Sequence, residues 1–108
     1  MNLIEGAVSN GVFSKAGYAT PLPVSDGPVI LAVRPEALDL SVATDKAQGK
    51  VHRVTDYGTH GLVDLELLDA TRVKAMVSHP DLFKAGQGVQ LVPKAIAAYR
   101  DGTVIHRA

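Results

Sequence analysis

Apolar and polar residues alternate along this chain in short runs that are separated by Gly, Pro, Asn and Asp. In the segment Arg72–Val77, for example, Val73, Ala75 and Val77 occupy every second position. A period of two places alternate side chains on opposite faces of a β-strand. Turn signals at intervals of about 8–12 residues divide the chain into about nine short strands. The pattern therefore predicts an all-β fold, an OB-like small barrel or sandwich with one or two short helical turns.

Turn-forming residues mark the ends of several strands. Ser9–Asn10–Gly11 and Arg100–Asp101–Gly102 contain residues that accept a positive φ, so each predicts a hairpin. The two prolines in Tyr18–Pro23 cannot donate ladder hydrogen bonds, which predicts an edge strand or the exit of a strand there. Ala43–Gln48 is small and polar, so we expect a surface loop.

The run Val29–Val33 is apolar without alternation, which predicts a strand buried on both faces at the centre of the core. In Arg34–Leu38, which follows, Pro35 fixes φ and predicts a short helical turn. A second such turn is predicted at Pro80–Lys84. The predicted core centres on Ile30, Leu31, Val33, Leu38, Val51, Val54, Leu65, Leu67, Val89 and Leu91.

Composition narrows the classes of function. The chain has 108 residues and 46% hydrophobic residues, enough for one packed core. Eleven basic residues balance eleven acidic ones, and aromatic residues make up only 5%, so neither a basic field nor a stacking platform for nucleic acid is indicated. The absence of cysteine excludes disulfides and thiolate metal sites. The longest apolar run, Val29–Val33, is far shorter than the roughly 20 residues of a membrane helix.

Motifs for catalysis are missing from the sequence. Gly49–Lys50–Val51 is the nearest fragment to the P-loop pattern G-x-x-x-x-G-K-[ST], which binds phosphate. Gln48 precedes the fragment, and the residue after Lys50 is Val51 rather than Ser or Thr. A G-x-S-x-G motif is also absent. His52 and Asp56 on one strand would stand about 13 Å apart, too far to bind one metal ion. We therefore predict no catalytic, cofactor-binding or metal-binding residues in this chain.

The sequence Val33–Arg34–Pro35–Glu36–Ala37–Leu38 resembles the Arg-Pro-Glu signature of TOBE (transport-associated OB) domains, the C-terminal regulatory region in ATP-binding subunits of ABC importers. Three further segments follow in the order of that family, Gly49–Leu67, Ala85–Leu91 and Tyr99–Gly102. Met1–Gly6 is similar to the segment that follows the nucleotide-binding domain in those subunits. Val12–Pro23 is most similar to the subgroup that serves carbohydrates or glycerol phosphate.

The resemblance implies that residues 1–108 form one TOBE-type regulatory domain from a longer ATPase subunit. It implies a non-catalytic role in dimerisation and regulation, with ATP and Mg bound by the parent ATPase domain rather than by this fragment. The implied partners are a second copy of the subunit, its own ATPase domain and, through the complex, the membrane permease. Neither nucleic acid binding nor direct membrane insertion is implied. The location would be cytoplasmic, peripheral on the inner face of the cell membrane.

Arg34, Pro35 and Glu36 are the candidate residues for a partner interface or a domain seam. A proline-primed turn after a buried strand holds two opposite charges at a fixed place on the surface. The simpler interpretation is a local ion pair that contributes under about 1 kcal/mol. An alternative function is that of a freestanding TOBE-type protein that binds oxyanions such as molybdate, with Thr71–Lys74 and Ser78–His79 as candidate ligands.

Overall fold

The computed structural model describes residues 1–43 and 45–107, and within these ranges it contains eleven β-strands in two antiparallel sheets. Two single 3-10 turns are the helical elements of the described residues. The all-β prediction is confirmed, and the described residues contain eleven strands where the sequence predicts about nine. The strands are β1 (Asn2–Ser9), β2 (Val12–Lys15), β3 (Tyr18–Pro21), β4 (Gly27–Val33), β5 (Leu38–Val42), β6 (Gly49–Asp56), β7 (Gly61–Leu67), β8 (Arg72–Val77), β9 (Gly88–Pro93), β10 (Ala97–Arg100) and β11 (Thr103–Arg107).

The six-stranded sheet has the order β11-β10-β4-β1-β2-β3. Its hairpins form where the sequence predicts them, since Asn10 and Gly11 have φ of 54° and 75°, and Asp101 and Gly102 have φ of 52° and 76°. These left-handed values suit two-residue hairpin turns whose twist matches that of the strands. The strand β3 lies at an edge of the sheet and ends at Pro21, as the prolines of Tyr18–Pro23 predict.

The five-stranded sheet has the order β5-β9-β6-β7-β8. Its outer strands β5 and β8 contact each other, and the 3-10 turn Pro35–Ala37 packs on β8, so the sheet curls toward a small barrel. The second 3-10 turn, Pro80–Leu82, confirms the helical turn predicted there. In the predicted loop Ala43–Gln48, the described residues lie outside the strands. Thr44 is not among the described residues.

One cluster of buried side chains joins the two sheets. Eight of the ten predicted core residues are buried, whereas Ile30 is 36% exposed and Val54 is only half-buried. The prediction that Val29–Val33 is buried on both faces is therefore wrong at Ile30. That side chain points away from the core, to the outer face of the six-stranded sheet. Fully buried side chains that the core prediction missed include Phe13, Leu22 and Val63.

Asn2 ties the two sheets together at the start of β1. Its side-chain amide donates to the carbonyl oxygen of Lys74 at 2.7 Å, and its side-chain oxygen accepts from the backbone N–H of Lys74 at 2.8 Å. Lys74 lies on β8, at the open edge of the five-stranded sheet. The Asn2 side chain therefore forms the two hydrogen bonds to this edge that the backbone of another strand would form.

Candidate functional site

The turn at Arg34–Glu36 carries the chain from one sheet to the other. Arg34 has an extended backbone, with φ of −72° and ψ of 145°, and Pro35 begins the 3-10 turn. The backbone N–H of Ala37 donates to the carbonyl of Arg34 at 2.9 Å. The N–H of Lys94 in turn donates to the carbonyl of Ala37 at 2.7 Å. The proline ring and these hydrogen bonds hold the turn in one conformation.

The two charged side chains of this turn, Arg34 and Glu36, are exposed. Within residues 1–43 and 45–107, neither takes part in an ion pair, so the local pair between them does not form. Glu36 borders a hollow of about 190 Å³, whose wall includes His60 and Met76. On the same wall, the Lys94 ammonium lies 3.8 Å from the Asp39 carboxylate. The turn thus presents a cation and an anion to solvent, two residues apart in the chain.

The second surface feature is a hollow of about 840 Å³ on the outer face of the six-stranded sheet, which we call the outer groove. It is lined by residues of β1, of β4 and the residue before it, of β10, and of the turn between β10 and β11: Leu3, Glu5, Gly6, Asp26, Gly27, Pro28, Val29, Ile30, Tyr99, Arg100, Asp101 and Gly102. Sequence reasoning missed this surface. The sequence signal for this surface is the apolar run of β4. The core prediction includes Ile30 of that run, but its side chain lies on the outer face.

The candidate oxyanion ligands do not come together. Thr71–Lys74 and Ser78–His79 lie at or beyond opposite ends of β8, which is about 20 Å long. The Arg72 guanidinium is 2.8 Å from the Glu66 carboxylate, and the Lys74 ammonium is 3.9 Å from that of Asp64. Both cations therefore already have partners.

Three further titratable groups, Asp64, Tyr18 and Asp69, have partners or surroundings within the fold itself. Asp64 is buried and lies 3.4 Å from Arg53, so its charge is balanced by cations on both neighbouring strands. Burial raises the pKa of Tyr18, a core residue. A hydrogen bond from Lys15 holds the pKa of Asp69 at about 2, at an exposed turn. Across the described residues, no three His, Cys, Asp or Glu side chains are grouped to hold a metal ion.

None of the helical segments described in the structure has the length and apolar character to cross a membrane. No curated protein matches the chain. The family model of the TOBE domain matches residues 31–99, which run from β4 to β10 and contain the whole five-stranded sheet together with the Arg34–Glu36 turn. The matched range covers well over half of the chain, and the chain therefore belongs to the TOBE domain family.

Proposed function

We propose that this chain is the non-catalytic regulatory domain of the ATP-binding subunit of an ABC importer, and that two copies meet through the Arg34–Glu36 turn. TOBE domains are a regulatory and ligand-binding family without catalytic activity of their own. The resemblance of the Arg34–Glu36 motif and of Val12–Pro23 supports an importer for sugar or glycerol phosphate. In this proposal the domain lies in the cytoplasm beneath the permease, joined to the ATPase domain that binds ATP and Mg.

The observation that carries the dimer contact is the exposed pair of opposite charges on the rigid turn. A twofold axis brings the same patch of both subunits together, so a twofold interface must be complementary to itself. A patch that carries both Arg34 and Glu36 meets this condition, because the cation of each copy can face the anion of the other. The rigid turn also favours the dimer contact, since little conformational entropy is lost when the contact forms.

A regulatory pair of this kind has a clear physical use. Two domains that stay together while the ATPase domains open and close keep the second subunit at a high effective concentration. They also provide a fixed body against which a hinge can move.

Charge reversal at the turn tests the dimer contact. Exposed ion pairs contribute about 0.2–1 kcal/mol each, and a twofold contact would contain two of them. Reversal replaces attraction with repulsion, so we expect Arg34→Glu alone, or Glu36→Arg alone, to raise the dimer dissociation constant about tenfold. The double variant Arg34→Glu/Glu36→Arg restores both pairs in the opposite sense and should return the constant to near its original value. Sedimentation equilibrium of the purified chain measures all four proteins.

The matched control is Lys84→Glu, which reverses an exposed charge away from the turn and should leave the dissociation constant unchanged. A monomer at every concentration, or a double variant no tighter than the single ones, contradicts the proposed contact. The importer context has a separate test in the reading frame that encodes the chain. An ATPase domain directly before the chain is expected, with its P-loop about 200–250 residues upstream, and a frame without one contradicts that part of the proposal.

A further inference from the structure

The outer groove crosses three adjacent strands, and its floor is apolar and open to solvent. Glu5 of β1, Ile30 of β4 and Tyr99 of β10 face one another across the sheet in one row. Leu3, two positions before Glu5, is 60% exposed. A monomeric domain seldom leaves contiguous apolar surface of this kind uncovered, so the groove has the character of a binding surface.

The rim of the groove is acidic. The side chains of Glu5, Asp26 and Asp101 line it. Asp26 accepts a hydrogen bond from the backbone of Asn10 at 2.9 Å. In the described part of the chain, neither Glu5 nor Asp101 takes part in an ion pair. A bound group of positive charge would therefore gain partners at the rim without breaking an existing ion pair.

Arg100 also lines the groove, but its guanidinium is part of the wall. It donates to the Ser25 hydroxyl at 2.6 Å, to the Ser25 carbonyl at 2.7 Å and to the Pro28 carbonyl at 3.1 Å. These three hydrogen bonds join the β10–β11 hairpin to Ser25, just before β4, and to Pro28 at the start of β4, and so fix the shape of the groove. Arg107, on the edge strand β11, is not among the residues that line it.

We propose that the outer groove binds a polypeptide segment of a partner protein that presents an Arg or Lys between apolar side chains. The aliphatic stem of such a residue would lie on Ile30, and its charged end would reach the carboxylate of Glu5. Tyr99, which lines the groove and pairs with Ile30 in the sheet, would supply an aromatic ring for a cation–π contact. A cation on a long apolar stem thus uses the floor and the rim of the groove together.

A second copy of the chain fits the groove poorly. A twofold contact through the groove would set an acidic rim against an identical acidic rim, and like charges brought together at an interface disfavour it. The groove therefore differs from the Arg34–Glu36 turn, because it is lined by three carboxylates and one guanidinium, whereas the turn carries one cation and one anion. The inference rests on the proposed regulatory role for its biological use, but the binding itself does not depend on dimerisation.

Fluorescence anisotropy with short labelled peptides tests this proposal. The probe is a peptide that alternates Leu and Arg at its centre, and the matched control peptide carries neutral citrulline in place of Arg. We expect saturable binding of the Arg peptide and binding about tenfold weaker for the citrulline peptide. Glu5→Gln should weaken binding of the Arg peptide about fivefold, whereas Asp81→Asn, an exposed carboxylate away from the groove, should change it less than about twofold.

Amide chemical shifts of the labelled chain locate the peptide, and the largest changes should fall on β1, β4 and the β10–β11 turn. Equal affinity for the two peptides, no effect of Glu5→Gln, or shifts centred elsewhere would overturn the proposal. Glu5→Gln should leave the sedimentation of the chain unchanged. A shift of the dimer equilibrium in that variant would instead identify the groove as a contact between copies. If Arg34→Glu left the dimer dissociation constant unchanged while the Arg peptide still bound the groove, only the proposed dimer contact would be refuted.

Discussion

Replacement of Asn2 by Ala should destabilise the chain by separating the two sheets at one point. Asn2 is 7% exposed, and its amide makes both hydrogen bonds to the backbone of Lys74, at 2.7 and 2.8 Å. A net contribution of about 1 kcal/mol per bond, with the cost of leaving the Lys74 groups unpaired, gives a loss of about 2–3 kcal/mol. For a domain of this size, that corresponds to a fall in Tm of about 10 °C or more.

Urea unfolding followed by circular dichroism measures this loss, and hydrogen exchange of the Lys74 amide tests its cause. The amide should exchange faster in Asn2→Ala than in the parent chain, because its acceptor is gone. Leu3→Ala is the matched control, since it shortens the neighbouring side chain of β1 at a position that is 60% exposed and should cost under about 0.5 kcal/mol. If Asn2→Ala lost no more stability than this control, water would be replacing the amide and the assigned role would be wrong.

Two further predictions concern backbone packing and acid stability. Gly61→Ala should cost about 2 kcal/mol in urea unfolding, because the added Cβ would overlap Cβ of Pro80; an unchanged midpoint would show that the 3-10 turn moves freely. Lys15 lies 2.9 Å from the Asp69 carboxylate and lowers its pKa from 3.8 to about 2, so the ionised form is favoured by folding. The resulting stability is present above about pH 4 and is lost as the pH falls toward 2. In Lys15→Met, carbon NMR should show the pKa of Asp69 closer to 3.8, and the stability difference from the parent should shrink between pH 4 and pH 2; a constant difference would contradict this assignment.

The sequence predicts the elements well where a local rule decides them. Asn10 and Gly11 form a hairpin turn because both tolerate positive φ, and Pro35 begins a 3-10 turn because its own φ is fixed. The burial of alternate residues on β8 follows from the period of two alone. In each case the physical cause lies within a few residues of the effect.

The sequence fails where burial depends on which element covers a face. Ile30 and Leu31 lie side by side in the same apolar run of the sequence, yet Leu31 is fully buried and Ile30 is 36% exposed. The difference is that the described structure has no second layer over the outer face of the six-stranded sheet, and no local pattern reports this. The contact between Asn2 and Lys74 joins residues 72 positions apart, and only the folded arrangement brings them together.

The strand β4 connects the two candidate surfaces. Ile30 lies on the floor of the outer groove, and Arg34 begins the turn four residues later, about 13 Å along an extended chain. The surfaces differ in charge, since the turn carries one cation and one anion and the groove has an acidic rim. A surface with one cation and one anion can pair with its own copy, whereas a surface with an excess of one sign favours a partner of the other sign. These charge patterns would allow one small domain to hold a second copy at the turn and a different polypeptide in the groove, without competition between the two.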